Sequence, residues 1–497
     1  MDTLNDKYLW NSDLLETITE GTSSRYWECK RIEIDSRKVK KGDLFLALKG
    51  KNFDGHDFIL DSMRSGASAV MVKTDFKVKN KKFYNIVVKD VLKSLFLIAK
   101  ESRKRAEKLY NTRFIAITGS SGKTSTKEMM KAAFSAIGKT YASPDSYNNH
   151  IGVTYSLANI YKNSDFGVFE IGMNKLNEVK NLSLLVNPHL ALITNIAEAH
   201  IGNFHSLEDI MFAKTEIFQG LRADGYAIIN RDLTFYEEIK SIASKVGIRN
   251  FVTFGTNKKS DVYLKSRRLI KEGQILVVNA FGKDYEYKIR FNGLHQVLNS
   301  LSVLAALIVF KCDPDKGLKA LYSVPVPSGR GIKHYIYIKN QESVVIDDSY
   351  NANPSSMEAS IEALKEISGK NRSIIIIGDM KELGKFSKPL HERIADFIIR
   401  FKIDLVFCVG AESRAVHKKL NYKTKSYWFK NVSDLQTIDF INILLPGDYI
   451  LIKGSRGRSE IYVSTGLQDR LAALWTTQTG LIATEAELDS LLQNWIR

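Results

Sequence analysis

The sequence predicts an α/β protein of about three domains built on parallel sheets. Its 497 residues leave room for about three separate cores. Short apolar runs alternate with helix-like patterns over most of the chain, and several of these runs end in a polar or glycine-rich turn. Because ligands of open α/β sheets bind at the carboxyl ends of the strands, these turns are the first places to look for a site.

Changes of pattern divide the chain into three regions and a tail. Region 1, residues 1–108, contains the strand-like runs DLFLAL and SAVMV and ends in a basic helical stretch. Region 2, residues 109–326, contains RFIAITG, FGVFEIG, LALITNI and GYAIIN, and region 3, residues 327–463, contains SVVIDDS, SIIIIGDM, DLVFCVG and YILIKGS. The segment PVPSGRG separates regions 2 and 3, since Pro and Gly favour a break. The tail, 464–497, contains no lysine and has the pattern of two amphipathic helices, so it could be a native extension, a fused segment or a cloning remnant.

Composition favours a cytoplasmic globular protein. The N-terminus is neither apolar nor basic enough for a signal peptide, and no apolar run approaches the roughly 20 residues that span a bilayer. Cys29, Cys312 and Cys408 are far apart and have no metal or redox spacing, as expected in a reducing compartment. The net charge of +17 is spread along the chain, so it indicates a solvated basic surface better than a nucleic-acid partner.

The most specific motif is IAITGSSGKTST at 115–126, where an apolar strand runs into a glycine-rich turn and then a helix. Backbone N–H groups of such a turn approach an anion closely, and the helix N-terminus adds its positive dipole. The strict phosphate-loop pattern requires a glycine where Ile117 stands, so this loop is a shortened variant. Lys123 is expected to reach the terminal phosphates of a nucleotide, and Thr124 to ligate Mg²⁺. The predicted nucleotide-binding residues are Gly119, Ser120, Ser121, Gly122, Lys123, Thr124 and Ser125.

Three further polar side chains follow strands of region 2. Glu170 ends the strand of FGVFEIG, where a carboxylate could hold Mg²⁺ beside the loop threonine, although it could also be a cap or a surface residue. His200 follows the strand of LALITNI, and Lys214 lies on the helix after it. A histidine in a loop is usually structural, but this group near a phosphate loop is consistent with a site. A charged lysine is a poor neighbour for Mg²⁺, so the residue types alone leave the role of Lys214 open.

Eight motifs in order along the chain resemble those of the Mur ligases: TGSSGKTSTKE, SYNNHIGV, FEIGM, LITNIAEAHIGNF, AKTEI, IDDSYNANPSSM, GDMKELG and LIKGSRG. The segment IDSRKVKKGDLFLALKGKNFDGHDF also resembles the first domain of that family. The resemblance covers about residues 30–463. It implies a UDP-sugar-binding domain, a central parallel-sheet ATPase domain with the phosphate loop, and a Rossmann-like C-terminal domain.

The resemblance implies roles for individual residues. Thr124 and Glu170 would ligate one Mg²⁺, and His200 a second. Lys214 would be carbamylated by CO₂, which turns the amine into an anionic metal ligand. Gln296 and Ser146 stand where the family has asparagine, and both are modest departures. The implied catalytic residues are Lys123, Lys214, His200 and Arg330; the further nucleotide contacts are Asn299, Arg330 and Asp348; the contacts to the UDP-sugar peptide are Ser36, Arg37, Asn148 and Asn149.

The resemblance also implies a substrate set. The motif DDSYNANP, together with GDMKELG and the absence of DNPR, is similar to that of members that use ATP to join D-alanyl-D-alanine to UDP-N-acetylmuramoyl-tripeptide, in peptidoglycan precursor synthesis. Such members pass through an acyl phosphate and use two Mg²⁺ ions, and a monomer is expected. Whether diaminopimelate or lysine stands at the third peptide position has no signal in the sequence.

Simpler interpretations exist for single residues and for the whole chain. Asp348 and Asn351 could cap the helix that begins near Pro354, and Arg456 could be solvated charge. Two other function classes stay open: a related amide ligase of the folylpolyglutamate synthetase type, and a basic phosphate-loop ATPase that binds nucleic acid. The first leaves DSYNANP and the first-domain motifs unexplained, and the second requires clustered basic and stacking aromatic residues that are not visible.

Overall fold

The computed structural model describes residues 8–50, 52–76, 83–435 and 443–455. These residues form three open sheets of five, nine and six strands, one in each region, and a two-stranded ribbon. Most neighbouring strands in each open sheet are parallel and are connected through helices, which confirms the predicted α/β class. None of the helices described has the length and apolar character needed to cross a membrane. The predicted tail at 464–497 and Arg456 lie outside the described residues.

Region 1 is a five-stranded sheet with a long helix leading out of it. Its elements are β1 (Trp10–Asn11), α1 (Ser12–Thr19), β2 (Thr22–Ser23), β3 (Glu28–Cys29), β4 (Arg31–Glu33), β5 (Asp43–Leu46), α2 (Ile59–Arg64), β6 (Ala69–Lys73), β7 (Asn85–Val88) and α3 (Val91–Tyr110), which continues two residues past the predicted boundary at 108. The strand order is β2-β7-β6-β5-β4, in which β2 is antiparallel to β7. Helix α3 begins where the Asp90 side chain accepts a hydrogen bond from Lys93 N, as an N-cap should.

Region 2 contains the nine-stranded sheet. Its elements are β8 (Arg113–Thr118), α4 (Lys123–Ser135), β9 (Thr140–Ala142), α5 (His150–Ala158), β10 (Phe166–Glu170), α6 (Glu178–Val186), β11 (Leu190–Ile193), α7 (Leu207–Thr215), β12 (Tyr226–Asn230), α8 (Tyr236–Lys245), β13 (Asn250–Gly255), β14 (Val262–Ile270), β15 (Gly273–Ala280), β16 (Lys283–Ile289), α9 (Leu294–Val309) and α10 (Pro314–Leu321). The strand order is β16-β15-β14-β13-β12-β11-β8-β10-β9. After β8 the chain builds one side of the sheet and then returns to build the other from β11. Polar turns after β8, β10 and β11 therefore meet at a switch point, where ligands of such sheets bind.

Region 3 contains the six-stranded sheet. Its elements are β17 (Ile332–Ile338), β18 (Gln341–Asp347), α11 (Pro354–Ser368), β19 (Ser373–Gly378), α12 (Ser387–Arg400), β20 (Leu405–Val409), α13 (Arg414–Leu420), β21 (Lys425–Phe429), α14 (Val432–Leu435) and β22 (Tyr449–Lys453). The order is β17-β18-β22-β19-β20-β21, and only the β17–β18 pair is antiparallel. The turns that follow β18, β19 and β22 share one edge of this sheet, since these strands are parallel neighbours.

The antiparallel strands β14–β16 were not expected from the sequence. Strand β14 pairs in parallel with β13, whereas β15 and β16 form an antiparallel extension of the sheet. The two-residue loop between β15 and β16 has φ of 49° at Phe281 and 85° at Gly282, the left-handed pair that suits a tight hairpin. Along β16 exposed and buried residues alternate, as they do in a strand with one covered face.

Region 1 docks on region 2 through the edge strand β4. The Asn159 side chain, just after α5, supplies the hydrogen bonds that a neighbouring strand would otherwise make. Ile32 N donates to Asn159 Oδ1 at 2.8 Å, and Asn159 Nδ2 donates to Ile32 O at 3.1 Å. Asn159 is buried, and the apolar core is continuous between the two regions around it.

Replacing Asn159 should therefore loosen this docking. Asn159→Ala leaves a buried N–H and a buried C=O of Ile32 without partners, which should cost about 2 kcal/mol and lower the unfolding temperature by several degrees in differential scanning calorimetry. The control is Asn257→Ala. The Asn257 side chain accepts a hydrogen bond in an exposed turn, so this substitution should leave the unfolding temperature nearly unchanged. Equal melting of Asn159→Ala and the wild type would contradict this account of the docking.

Candidate active site

The phosphate loop has a backbone that only glycine can supply. Strand β8 ends at Thr118 and helix α4 begins at Lys123, as predicted. Gly119 has φ of 153°, and a Cβ on it would lie 1.9 Å from Thr194 Oγ1. Gly122 has φ of 81°, in the left-handed region that disfavours other residues. The two glycines of the motif therefore let the loop turn tightly against the neighbouring strand exit.

Asn195 holds the loop in shape from the end of β11. Ser121 N donates to Asn195 Oδ1 at 2.8 Å, and Asn195 Nδ2 donates to Ser121 Oγ at 2.8 Å. Ser120 N donates to the backbone oxygen of Asn195 at 3.0 Å. These bonds fix the loop at the amino end of α4, where backbone N–H groups and the helix dipole favour an anion.

Thr124 and Glu170 lie together beside the loop. Thr124 Oγ1 donates to Glu170 Oε2 at 2.8 Å, and Asn148 Nδ2 donates to Glu170 Oε1 at 2.7 Å. Both Thr124 and Glu170 are buried. The described residues contain no group of three or more His, Cys, Asp or Glu side chains that could hold a metal. Mg²⁺ commonly takes one or two protein oxygens and completes its shell with phosphate and water, so the Thr124 and Glu170 oxygens fit that ion.

Two lysines, Lys214, which is buried, and Lys123, which is partly buried, line the site. Lys123 Nζ donates to Gly119 O at 2.8 Å, and burial lowers the pKa of Lys123. Lys214 is 2% exposed, and no hydrogen bond or ion pair to its amine is found in the part of the chain that the structure describes. Burial, together with the charge of Lys123, lowers the pKa of Lys214 well below its usual range. Burial therefore disfavours the charged form of the Lys214 amine.

His200 lies at the contact with region 3. It has φ of 60°, and its Nδ1 is hydrogen-bonded to the Glu382 carboxylate. Burial lowers the pKa of His200; the nearby charges of Lys123 and Lys214 act in the same direction, and Glu382 opposes them. The second histidine of this segment, His205, does not line the cavity described below.

Region 3 brings further polar groups to the loop. The Arg330 guanidinium lies 3.9 Å from the centre of the Tyr350 ring, and Arg330 Nη2 donates to Ser146 Oγ at 3.3 Å. Tyr350 OH also donates to Ser146 Oγ, at 2.9 Å. Because Ser146 Oγ is 3.5 Å from Thr124 Oγ1, one small hydroxyl connects the phosphate loop of region 2 with Arg330 of region 3.

Asp348 is held by two donors rather than used as a helix cap. Its Oδ2 accepts hydrogen bonds from Lys453 Nζ at 2.7 Å and from Ser360 Oγ at 2.6 Å. Helix α11 is instead capped by Asn353, whose side chain accepts from Ser356 N. The capping role considered for Asp348 is therefore wrong.

A cavity of about 960 Å³ opens between regions 2 and 3. Asn299 and Gly119 do not line it, although Asn299 packs against the loop, since a Cβ on Gly122 would be 2.8 Å from Asn299 Oδ1. Ser36 and Arg37 are also not in the lining, and the Arg37 side chain is exposed and paired with Asp35. The predicted residues that line the cavity are Ser120, Ser121, Gly122, Lys123, Thr124, Ser125, Asn148, Asn149, Glu170, His200, Lys214, Arg330 and Asp348.

Several residues that line the cavity were not predicted as site residues from the sequence. Tyr350, Glu382 and Lys453 all lie within quoted motifs, but their sequence positions do not show that they reach region 2 or pair with Asp348. His295 also lines the cavity, and its Nδ1 is buried with no hydrogen-bond partner among the described residues. Burial lowers the pKa of His295 to about 4, so its ring is neutral near neutral pH.

Known proteins share this architecture over nearly the whole chain. Three domain models match: the Mur ligase family catalytic domain at 28–108, the Mur ligase middle domain at 117–307 and the Mur ligase glutamate ligase domain at 336–456. A Rickettsia prowazekii protein named UDP-N-acetylmuramoyl-tripeptide–D-alanyl-D-alanine ligase is 36% identical over 449 residues, which are 90% of this chain and 97% of that protein.

Solved structures give the same result. MurF from Acinetobacter baumannii superposes with a TM-score of 0.80 at 28% identity, covering 93% of this chain and 99% of that one. MurF ligase from Thermotoga maritima in complex with ADP superposes with a TM-score of 0.75 at 26% identity, covering 89% and 98%. With all three regions matched in order, the chain belongs to the Mur ligase family.

Proposed function

We propose that the protein is an ATP-dependent ligase that joins D-alanyl-D-alanine to UDP-N-acetylmuramoyl-tripeptide, in the cytoplasmic synthesis of peptidoglycan precursors. The observation that carries this proposal is the full-length similarity to the Rickettsia prowazekii ligase of that name. The geometry supports it, because a phosphate loop and the cations of two regions line one cavity. A single chain supplies all these groups, so a monomer is sufficient.

A carboxylate oxygen is a poor leaving group, so amide synthesis requires that the carboxylate be activated first. The terminal phosphoryl group of ATP passes to the carboxylate of the tripeptide, which releases ADP and forms an acyl phosphate. The amine of D-alanyl-D-alanine then attacks the carbonyl carbon and loses a proton, and inorganic phosphate leaves. Lys123 and Arg330, which line the cavity, would stabilise negative charge on the transferring phosphoryl group, while Ser120–Ser125 would hold the nucleotide phosphates.

The donor atoms at the site fit two Mg²⁺ ions if Lys214 is carbamylated. Thr124 and Glu170 offer oxygen ligands for one ion. His200 offers a nitrogen, and Lys214 is a buried amine with no counter-charge among the described residues. A carbamate on that amine would remove the buried cation and provide the oxygens that Mg²⁺ prefers. Bound Mg²⁺ supplies positive charge to the phosphoryl oxygens during transfer.

We assign binding of the substrates to different regions. Region 1, residues 1–108, would hold the UDP-sugar through Ser36 and Arg37, and region 2, residues 109–326, the nucleotide. Asn148 and Asn149, which line the cavity, would contact the peptide. Lys38 Nζ lies 3.5 Å from Tyr147 OH, so the basic turn of region 1 is next to the segment that carries these asparagines.

Region 3, residues 327–463, would close over the nucleotide. Arg330 and Asp348 come from it and line the cavity, and Asn299 of region 2, which packs against the loop at Gly122, would contact the adenine. Such closure would shield the acyl phosphate from water. The tail, 464–497, would not be needed for this chemistry.

An assay of phosphate release discriminates the proposed function from its alternatives. We expect release only when ATP, UDP-N-acetylmuramoyl-tripeptide and D-alanyl-D-alanine are all present, with one ligated product per phosphate. Lys123→Ala, which removes the loop cation, is the negative control. Stimulation by DNA or RNA, or by a folate and glutamate, would contradict the proposal.

The role of Lys214 can be tested by chemical rescue. Lys214→Ala should lose activity by about 100-fold or more, because a charge-stabilising group is removed. Acetate or formate should partly restore the rate by occupying the vacated space as an anion, and chloride should not. Lys214→Arg should remain inactive, since a guanidinium stays cationic and forms no carbamate. Lys245→Ala, an exposed lysine on α8, is the control. Wild-type activity in Lys214→Arg would show that the residue works as a plain cation.

A further inference from the structure

His200 and Glu382 meet across the contact between regions 2 and 3. Both residues have left-handed backbones, with φ of 60° and 61°. Non-glycine residues in this conformation are uncommon and strained, so the surrounding structure must hold them there. His200 Nδ1 and the Glu382 carboxylate form a hydrogen bond and ion pair, and both side chains line the cavity.

The backbones on either side of this pair are in direct contact. Gly202 N donates to Glu382 O at 2.8 Å. A Cβ on Gly202 would lie 2.7 Å from Glu382 O and 2.8 Å from Gly384 N, and a Cβ on Gly384 would lie 3.1 Å from Gly202 Cα. The approach is thus close enough that a side chain on Gly202 would force the two loops apart. The position of Glu382 relative to His200 is therefore set by backbone contacts and not only by a flexible side chain.

A hydrogen bond at Nδ1 determines what the other nitrogen of the ring can do. When Nδ1–H donates a hydrogen bond to a carboxylate, Nε2 carries a lone pair, and the hydrogen bond fixes the direction in which that lone pair points. No hydrogen-bond partner of His200 Nε2 is found within the described ranges. Carboxylates that bond to metal-binding histidines in this way orient the ring and raise its basicity.

We propose that Glu382 is a positioning residue: on docking of region 3, its carboxylate orients His200 so that Nε2 can bind the second Mg²⁺. The proposal rests on the metal role of His200 in the proposed function. It gives the GDMKELG motif a role beyond that of a strand exit. It also makes the geometry of a ligand in region 2 depend on a residue 182 positions away in region 3.

A plain docking contact is the competing explanation, and the chain offers a matched control for it. Arg267 of β14 and Glu366 of α11 form another ion pair between the two regions, with 2.9 Å between Arg267 Nη1 and Glu366 Oε2. Neither side chain lines the cavity or touches His200. A variant of Glu366 therefore removes an ion pair between the two regions without changing the partner of His200.

The test is Mn²⁺ binding by the whole protein, measured by electron paramagnetic resonance with a non-hydrolysable ATP analogue. Wild type should bind two Mn²⁺ ions, and His200→Ala should lose one. Glu382→Gln should lower the affinity for the same ion about 10- to 100-fold, as happens when a carboxylate that bonds to a metal-binding histidine is lost. Glu366→Gln should bind both ions like the wild type. Measuring the unfolding temperature of each variant checks that it is folded.

The possible results distinguish the positioning role of Glu382 from the metal role of His200. If His200→Ala loses an ion but Glu382→Gln binds both with wild-type affinity, Glu382 does not position His200, and the metal role of His200 stands. If Glu366→Gln lowers the affinity for that ion as much as Glu382→Gln does, weaker docking of region 3 explains both results and the inference is wrong. If His200→Ala binds both ions normally, His200 is not a ligand, and the inference fails together with that part of the proposed function.

Discussion

Buried positive charge is the constraint on which the site depends. Lys214 is buried and Lys123 is partly buried, and burial disfavours the charged form of each. Arg330 adds a third cationic group at the same cavity, and Glu170 is a nearby carboxylate that favours the charge on Lys123. Isolated buried charges are costly unless they are paired or neutralised. A cavity of this kind is suited to polyanions, and nucleotide phosphates and a peptide carboxylate are such ligands.

The fold brings these groups together by making the ends of non-consecutive strands neighbours. Strand β8 lies between β10 and β11, so the phosphate loop, Glu170 and Asn195 share one edge although they are far apart in sequence. Region 3 approaches that edge with Arg330 and Glu382. The acyl phosphate of the proposed reaction would hydrolyse in open water, so a cavity whose cations come from two regions would suit that reaction by shielding it.

The sequence was a good guide to local structure. The apolar runs of RFIAITG, FGVFEIG and SIIIIGDM became strands, because a buried parallel strand needs little more than a short apolar run. The glycine–lysine turn predicted the loop because its backbone conformation excludes other residues. The antiparallel strands of 262–289 were missed, since their alternation of buried and exposed residues is a weaker signal than a continuous apolar run.

Contacts across the site could not be predicted. Asn195 bonds to Ser121, Tyr350 to Ser146 and Glu382 to His200, and each of these pairs joins segments at least 74 residues apart. No local pattern encodes such a pair, because it depends on how two sheets and their turns are placed. Family resemblance implied a site role for Lys214, but only the structure showed that this residue is buried and within reach of the charge of Lys123.

The most direct measurement of the central claim is a carbon-13 NMR spectrum of the protein equilibrated with ¹³C-labelled bicarbonate. If Lys214 relieves its buried charge by forming a carbamate, the wild type should show a carbamate resonance that is absent from Lys214→Ala and still present in the Lys245→Ala control. A wild-type spectrum without that resonance, or a resonance that persists in Lys214→Ala, would contradict the claim that the site converts this buried amine into an anion.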